Sequence, residues 1–187
     1  HLATQTSCYG VSESAGTAFD YNDWQMALFV QSLFLGVYQA QFATMDTEVL
    51  HPLLTDILQC EDTPTFLAFG EGDRPGRLGV SPRDFCRFGY LFLREGRWEN
   101  QAVLPAAIAK NCTREPLPSM FPRTQAIAAA MCPDQWSLGS RSIPDNQCDH
   151  KGSYSWLWWI NGVDRDGNRH WPDAPIDIFA ALGHRNG

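Results

Sequence analysis

Cys148, Asp149 and His150 are consecutive residues whose side chains could bind a metal ion or form a thiol–imidazole pair. Side chains of adjacent residues rarely converge on one ion. The sequence contains neither a second cluster of such ligands nor a C-x-x-C pair, so it does not indicate a zinc or redox site. We therefore expect no metal.

Tyr21, Asn22 and Asp23 form a second polar group, which alone says little about function. Judged locally, the group predicts the start of a helix, because Asp20, Asn22 and Asp23 can cap a helix or place acids in its first turn. Apolar residues then recur at helical spacing, which predicts an amphipathic helix over Asp20 to Gln39.

Three tryptophans in the aromatic segment 154–160 could stack on a ligand. The segment is apolar and bounded by turn residues, which favours a β-strand. On a strand, Trp156 and Trp158 share one face and Trp159 takes the other. Packing in a hydrophobic core is the simpler account of at least two of them.

The composition favours a folded protein with an acidic surface. The 187 residues are 44% hydrophobic, which suffices for one globular domain or two small lobes. The net charge is −7 and the 14 Lys and Arg residues are scattered, so nucleic acid and anionic membranes are poor partners. The apolar stretch Met26 to Val37 is interrupted by Gln31 and is too short to cross a bilayer, so we expect no transmembrane segment.

The clearest local signal is Ser81-Pro82-Arg83-Asp84, in which Ser81 can cap a helix, Pro82 suits its first position and Asp84 places an acid in its first turn. This helix is predicted to end at Gly96. Further helices are predicted over Thr47 to Leu58 and Leu104 to Asn111, and strands at Phe66 to Phe69, Tyr154 to Ile160 and Ile176 to Leu182, with a turn at Asp164 to Asn168 and an irregular region from Asn111 to Lys151. Helices followed by strands predict an α+β fold.

The six cysteines do not define the redox compartment. Cys86 lies in an apolar helical pattern and is predicted to be a buried free thiol. Cys112, Cys132 and Cys148 flank loop-like sequence, so a disulfide among them stays open.

Three collinear features carry a resemblance to a known family. The first is His1 to Ser7 with Ala15 to Asp23, the second is Gly79 to Leu93 followed by Gly96-Arg97-Trp98, and the third is Tyr154 to Trp159 with Phe179 to His184. In this order and spacing they resemble the β-lactamase-related serine hydrolases, which include class C β-lactamases, D-alanyl-D-alanine carboxypeptidases and esterases. The resemblance covers nearly the whole chain.

The resemblance implies a β-lactamase/transpeptidase-like fold, with a helical lobe against an antiparallel sheet. Residues 1–150 are then a mostly helical lobe with long loops, and residues 151–187 are strands returning to the sheet. Together they make one incomplete catalytic domain, and a periplasmic or secreted location is slightly favoured.

The resemblance also implies hydrolysis of a small amide, β-lactam or ester through a serine acyl-enzyme, a reaction that needs neither a metal nor an organic cofactor. In this family an S-x-x-K motif supplies the nucleophilic Ser and a Lys that helps to activate it, because a Ser hydroxyl is a weak nucleophile without a nearby base. The motif is absent here, since Ala107 and Cys148 stand three residues before the two lysines. We expect it upstream of His1, and expect this chain alone to be inactive.

The family's other motifs map onto two positions of this sequence. Tyr21 matches a Tyr that relays the Ser proton, and Asp23 takes the place of its polar partner. His184 matches a hydrogen-bonding position on a sheet strand. The neighbouring residues Asn22, Gly183 and Arg185 are predicted to contact substrate. The sequence departs from the pattern in having an acid at position 23, and Arg185 and Asn186 before the final glycine.

These departures leave two rival hypotheses. The chain could belong to a non-catalytic, penicillin-binding-like module that kept the fold and lost the catalytic residues. It could also be an unrelated α+β domain, in which case Tyr21 and His184 need not share a cleft.

Overall fold

The computed structural model describes residues 1–21, 23–69, 77–127, 129 and 148–182. The chain forms two compact units: the first comprises His1–Gln25, Lys110–Gln135 and Ser142–Gly187, and the second comprises Met26–Ala109 and Trp136–Arg141. The fold is a mixture of helices and small antiparallel sheets, so the α+β prediction is confirmed at that level.

The described helices are α1 (Asp23–Val30), π1 (Gln31–Val37), π2 (Asp46–Thr55), α2 (Pro82–Leu93) and α3 (Ala106–Arg114). The described strands are β1 (Phe66–Phe69), β2 (Arg77–Val80), β3 (Arg97–Trp98), β4 (Gln101–Ala102), β5 (Trp159–Ile160) and β6 (Phe179–Ala180). They pair as three antiparallel two-stranded sheets, β1 with β2, β3 with β4, and β5 with β6.

In the second unit, the apolar faces of π1 and π2 meet in a hydrophobic core. Its buried members are Val30, Phe34, Ala40, Met45 and Val49. The first residue of π2 also ties this core to β1, because the Asp46 carboxylate accepts hydrogen bonds from the backbone N–H groups of Thr65 and Phe66, both at 3.0 Å. Backbone donors thus offset the cost of burying this acid.

The start of α2 confirms the predicted cap, since the Ser81 side chain accepts a hydrogen bond from Asp84 N at 3.2 Å. The Asp84 carboxylate is buried and accepts from the N–H groups of Glu61 and Asp62, both at 3.1 Å, and from the Arg87 guanidinium at 2.7 Å. One acid therefore joins the preceding loop to the helix.

The first unit is built around an aromatic core. Phe19, Tyr154 and Trp159 are buried together, and Tyr21, Leu117, Phe121, Cys148 and Trp171 pack against them. The hydroxyl of Ser155, which is also buried, lies within hydrogen-bond distance of two carbonyl oxygens, Asn111 O at 3.0 Å and Glu115 O at 2.9 Å. These contacts join the end of α3 to this core.

Several predicted elements differ from the structure. The strand predicted over Tyr154 to Ile160 is wrong for most of its length: Ser155 N donates to Trp158 O at 2.9 Å, Leu157 has a positive φ of 66°, and only Trp159–Ile160 is a strand. The backbone therefore turns within the segment. The last predicted strand is likewise confined to Phe179–Ala180.

The predicted burial of individual side chains is confirmed for some residues and wrong for others. Of the tryptophans, Trp158 and Trp159 are buried as expected, whereas Trp156 is 44% exposed. The prediction of a buried Cys86 is wrong, because the thiol lies on the solvent side of α2. Cys112 and Cys148 are not joined to each other by a disulfide, and Cys132 lies outside the described residues.

Candidate functional site

The turn before α1 is held by a buried glutamine. Gln25 Oε1 accepts hydrogen bonds from the Ser7 backbone N–H at 3.1 Å and from its hydroxyl at 2.6 Å, while Gln25 Nε2 donates to the Asp20 carbonyl. The Asp20 N–H in turn donates to Gln5 O at 2.8 Å. The segments His1 to Ser7 and Ala15 to Asp23, both part of the first sequence feature, are thus fixed to one another.

Tyr21 follows this turn and lies half-buried against the aromatic core. Its ring meets the Tyr154 ring nearly edge-on, with centroids 5.6 Å apart and planes at 85°. The Trp159 ring lies 6.1 Å away and the Phe19 ring 6.2 Å away. The packing fixes the direction of the Tyr21 ring, because aromatic pairs prefer such tilted geometries.

Tyr154 is 2% exposed, and burial, with Tyr21 nearby, raises its pKa well above the usual range for tyrosine. Two adjacent phenols cannot both ionise cheaply. Since Tyr154 is deeply buried and its pKa is raised, it stays a neutral phenol at pH 7.

The third sequence feature meets the first at this point. Trp159, which packs on Tyr21, is the cross-strand partner of Ala180 in the β5–β6 pair. On its other side Trp159 stacks on His170, with centroids 5.6 Å apart and planes at 13°. Burial, with a smaller contribution from the Lys151 charge, lowers the His170 pKa, so this ring is neutral at pH 7.

The remaining predicted site residues are only partly described. Asp23 is the first residue of α1, and its side chain lies outside what the structure describes. Asn22, Gly183, His184 and Arg185 also lie outside the described residues. The structure thus places Tyr21 at the aromatic core, and the predicted roles of all six residues stay predictions.

The contacts of Cys148 and His150 favour a structural role for both side chains. His150 is fully buried, its Nε2 donates to Phe121 O at 2.7 Å, and its Nδ1 accepts from Gly152 N at 2.9 Å. Both ring nitrogens are therefore occupied by the backbone. Burial raises the Cys148 pKa to about 12, which keeps it a thiol rather than a thiolate.

An open groove lies on the same unit, formed by the segment that leads into and through β6. Its volume is about 700 Å³, within the range of small-molecule sites. The apolar lining consists of Trp171, Pro172, Ala174, Ile178, Ala180 and Leu182. A single carboxylate, Asp173, completes the described lining.

Asn161 holds the backbone of this groove in place, and sequence reasoning did not identify it. Its side chain is buried, its Oδ1 accepts from Trp171 N at 2.8 Å, and its Nδ2 lies 2.9 to 3.2 Å from the carbonyl oxygens of Trp171, Ala174 and Pro175. An asparagine beside a strand, just before a glycine, was the available signal, but it suggests only a turn.

Comparison with known proteins gives no family assignment. A scan against models of protein families, a search of curated proteins and a search of solved structures each find no match to this chain. Within the described ranges, no three His, Cys, Asp or Glu residues are grouped so as to hold a metal ion. None of the helices described is both long and apolar enough to cross a bilayer.

Proposed function

We propose that this chain is part of a serine hydrolase that works through an acyl-enzyme on a small amide, β-lactam or ester. In this proposal the chain supplies the tyrosine side of the catalytic site. The nucleophile is the Ser of an S-x-x-K motif, which does not occur within these 187 residues.

The observation that supports the proposal is the meeting of two sequence features at Tyr21. The Tyr-x-Asp position packs on Trp159, and Trp159 pairs with Ala180, four residues before His184 in the sequence. Parts of the first and third sequence features are therefore connected within one compact unit. If the resemblance to this family were coincidental, there would be no reason to expect Tyr21 to pack beside this strand pair.

The chemistry assigned to Tyr21 follows from its surroundings. Tyr21 is a half-buried residue whose ring is oriented by packing on a buried phenol. As a phenolate, its oxygen can accept the proton of an attacking Ser and then, as a phenol, return that proton to the leaving group, the general acid–base role that acyl transfer requires.

The test measures how fast a fluorescent penicillin and a fluorescent fluorophosphonate label the full-length polypeptide that contains this sequence. Wild type is compared with Tyr21→Phe and with the control Tyr38→Phe, whose side chain is 45% exposed in the second unit. We expect labelling of the wild type, a loss of about 10²- to 10⁴-fold in rate for Tyr21→Phe, and no change for Tyr38→Phe.

Two results would contradict the proposal. Equal labelling rates for wild type and Tyr21→Phe would remove Tyr21 from the chemistry. Reversible binding of the penicillin with no covalent labelling would instead favour the non-catalytic binding module, for which the acid at position 23 is the motivating feature.

A further inference from the structure

The groove beside β6 offers a binding site whose chemistry can be derived from its lining. We propose that it holds the apolar part of a substrate or product that carries a positively charged amine, with the ammonium group at Asp173. This assignment deepens the proposed function and rests on it for the groove's place in the reaction, whereas binding itself can be measured independently.

The apolar character of the occupant follows from the side chains. Six of the seven described lining residues present carbon surface, among them the indole of Trp171 and the branched side chains of Ile178 and Leu182. Ile178 and Leu182 are 40% and 44% exposed. Covering this surface removes apolar area from water, which is favourable at about 25 cal/mol per Å².

The positive charge of the occupant follows from the electrostatics. The segment 171–182 contains two acids, Asp173 and Asp177, and no Lys, Arg or His. The nearest cation in sequence, Arg169, donates to the Asn161 carbonyl at 3.3 Å and does not line the groove. His170 adds no charge at pH 7, because burial lowers its pKa. Among the described lining residues, Asp173 carries the only charge, which attracts an ammonium ion and repels a carboxylate.

The groove is also preorganised. The side chain of Asn161 fixes both the N–H and the C=O of Trp171 and reaches two further carbonyl groups of the wall. Ile178 N adds a turn bond to Pro175 O at 3.3 Å. A wall ordered before binding loses less entropy when a ligand arrives, which improves affinity without further contacts.

The groove's position connects it to Tyr21. Ala180 lines the groove and lies opposite Trp159 in the β5–β6 pair, and Trp159 packs on Tyr21. Adjacent strands are about 4.8 Å apart. The groove therefore includes the strand next to the one that packs on Tyr21, where it is suited to a side chain or leaving group of a substrate that reacts beside Tyr21.

The test uses three probes of one shape: 4-phenylbutylamine, 4-phenylbutanol and 4-phenylbutanoate. Each is titrated at pH 7 into the 187-residue chain while the backbone amide resonances of residues 171–182 are followed by NMR. We expect the amine to bind about two- to fivefold tighter than the alcohol, the size of an exposed ion pair, and the carboxylate to bind weakest. High salt should reduce the amine's advantage.

Three variants make the test specific. Asp173→Asn should bring the amine's affinity down to that of the alcohol and leave the alcohol unchanged. Ile178→Ala should weaken all three probes by about threefold, because apolar contact is lost. Ile176→Ala, in the same loop but outside the lining and 69% exposed, should change nothing.

The inference is wrong if the probes leave residues 171–182 unperturbed, or if the amine keeps its advantage in Asp173→Asn. Neither result bears on acylation by penicillin or fluorophosphonate. Conversely, binding as predicted in a protein that shows no acylation would retain the amine site and remove its catalytic role.

Discussion

The Tyr21 ring meets the Tyr154 ring at 85°, with centroids 5.6 Å apart, so that a half-buried phenol rests on a fully buried one. The two residues stand 133 positions apart in the sequence, the difference between 154 and 21. Their contact joins the segment before α1 to the segment before β5, and gives the unit a measurable response to alkaline pH.

Stability should fall above about pH 10, the usual tyrosine pKa, partly because of Tyr154. Its pKa is raised in the folded protein by burial and by Tyr21. The stabilisation from its bound proton is complete below the unfolded-state pKa and is lost as the pH rises toward the folded-state pKa. Urea unfolding from pH 8 to 11 should show a shallower decline in Tyr154→Phe than in wild type. Identical slopes would place the alkaline sensitivity elsewhere.

Replacing Asn161 by Ala should destabilise the first unit by about 1–3 kcal/mol, because several part-buried backbone groups lose their partner. The groups affected include both the N–H and the C=O of Trp171. Denaturant midpoints measure the change. Asn100→Ala, at an exposed position, is the matched control and should stay within about 0.5 kcal/mol of wild type. Equal effects of the two substitutions would show that the hydrogen bonds of the Asn161 side chain add no stability.

Acid should destabilise the contact between Asp84 and the preceding loop. Burial opposes the charged form of this carboxyl, but hydrogen bonds from Glu61 N, Asp62 N and Arg87 outweigh it, and the Asp84 pKa is lowered. Stability from a lowered carboxyl pKa is present above the unfolded-state pKa of about 4 and is lost as the pH falls through the folded-state value.

Asp84→Asn should therefore cost about 2 kcal/mol near pH 7 and much less near pH 3, as measured by thermal or urea unfolding. Asp56→Asn provides a comparison at an exposed acid of the same unit. A cost for Asp84→Asn that does not change with pH would rule out the ionised carboxylate as the source of the stability.

Cysteine alkylation should distinguish buried from exposed thiols. Burial raises the Cys148 pKa to about 12, so at pH 8 only about one thiol in ten thousand is ionised. Cys86 is exposed and should react with iodoacetamide at least about tenfold faster. Peptide mass spectrometry after timed quenching measures both rates, and the difference should vanish in denaturant. Comparable rates in the native protein would contradict the described burial.

Local signals in the sequence predicted those elements that short-range chemistry determines. Ser81 and Asp84 begin α2 through a hydrogen bond between residues only three positions apart. Such a cap depends on the local sequence and not on the rest of the fold. The strand Phe66–Phe69 was predicted, but its partner Arg77–Val80 was not, because the pairing depends on a neighbour that is separated in sequence by the glycine-rich segment 70–76.

The candidate site depends on long-range contacts, and these the sequence could not specify. An aromatic, apolar segment between turn residues predicted a strand through Leu157, yet that residue has positive φ and the chain turns, so that Tyr154 bridges to Trp159. The bonds of Asn161 reach residues 10 to 14 positions away. Only the family resemblance pointed to Tyr21, because locally it reads as the start of a helix.

The most direct test of the central claim is to map the residue that carries the adduct after the full-length polypeptide containing this sequence reacts with a fluorophosphonate. Digestion and mass spectrometry identify the modified peptide. We expect one modified serine that is followed three residues later by a lysine. This spacing does not occur among these 187 residues. An adduct on a serine of the printed sequence, or no adduct at all, would contradict it.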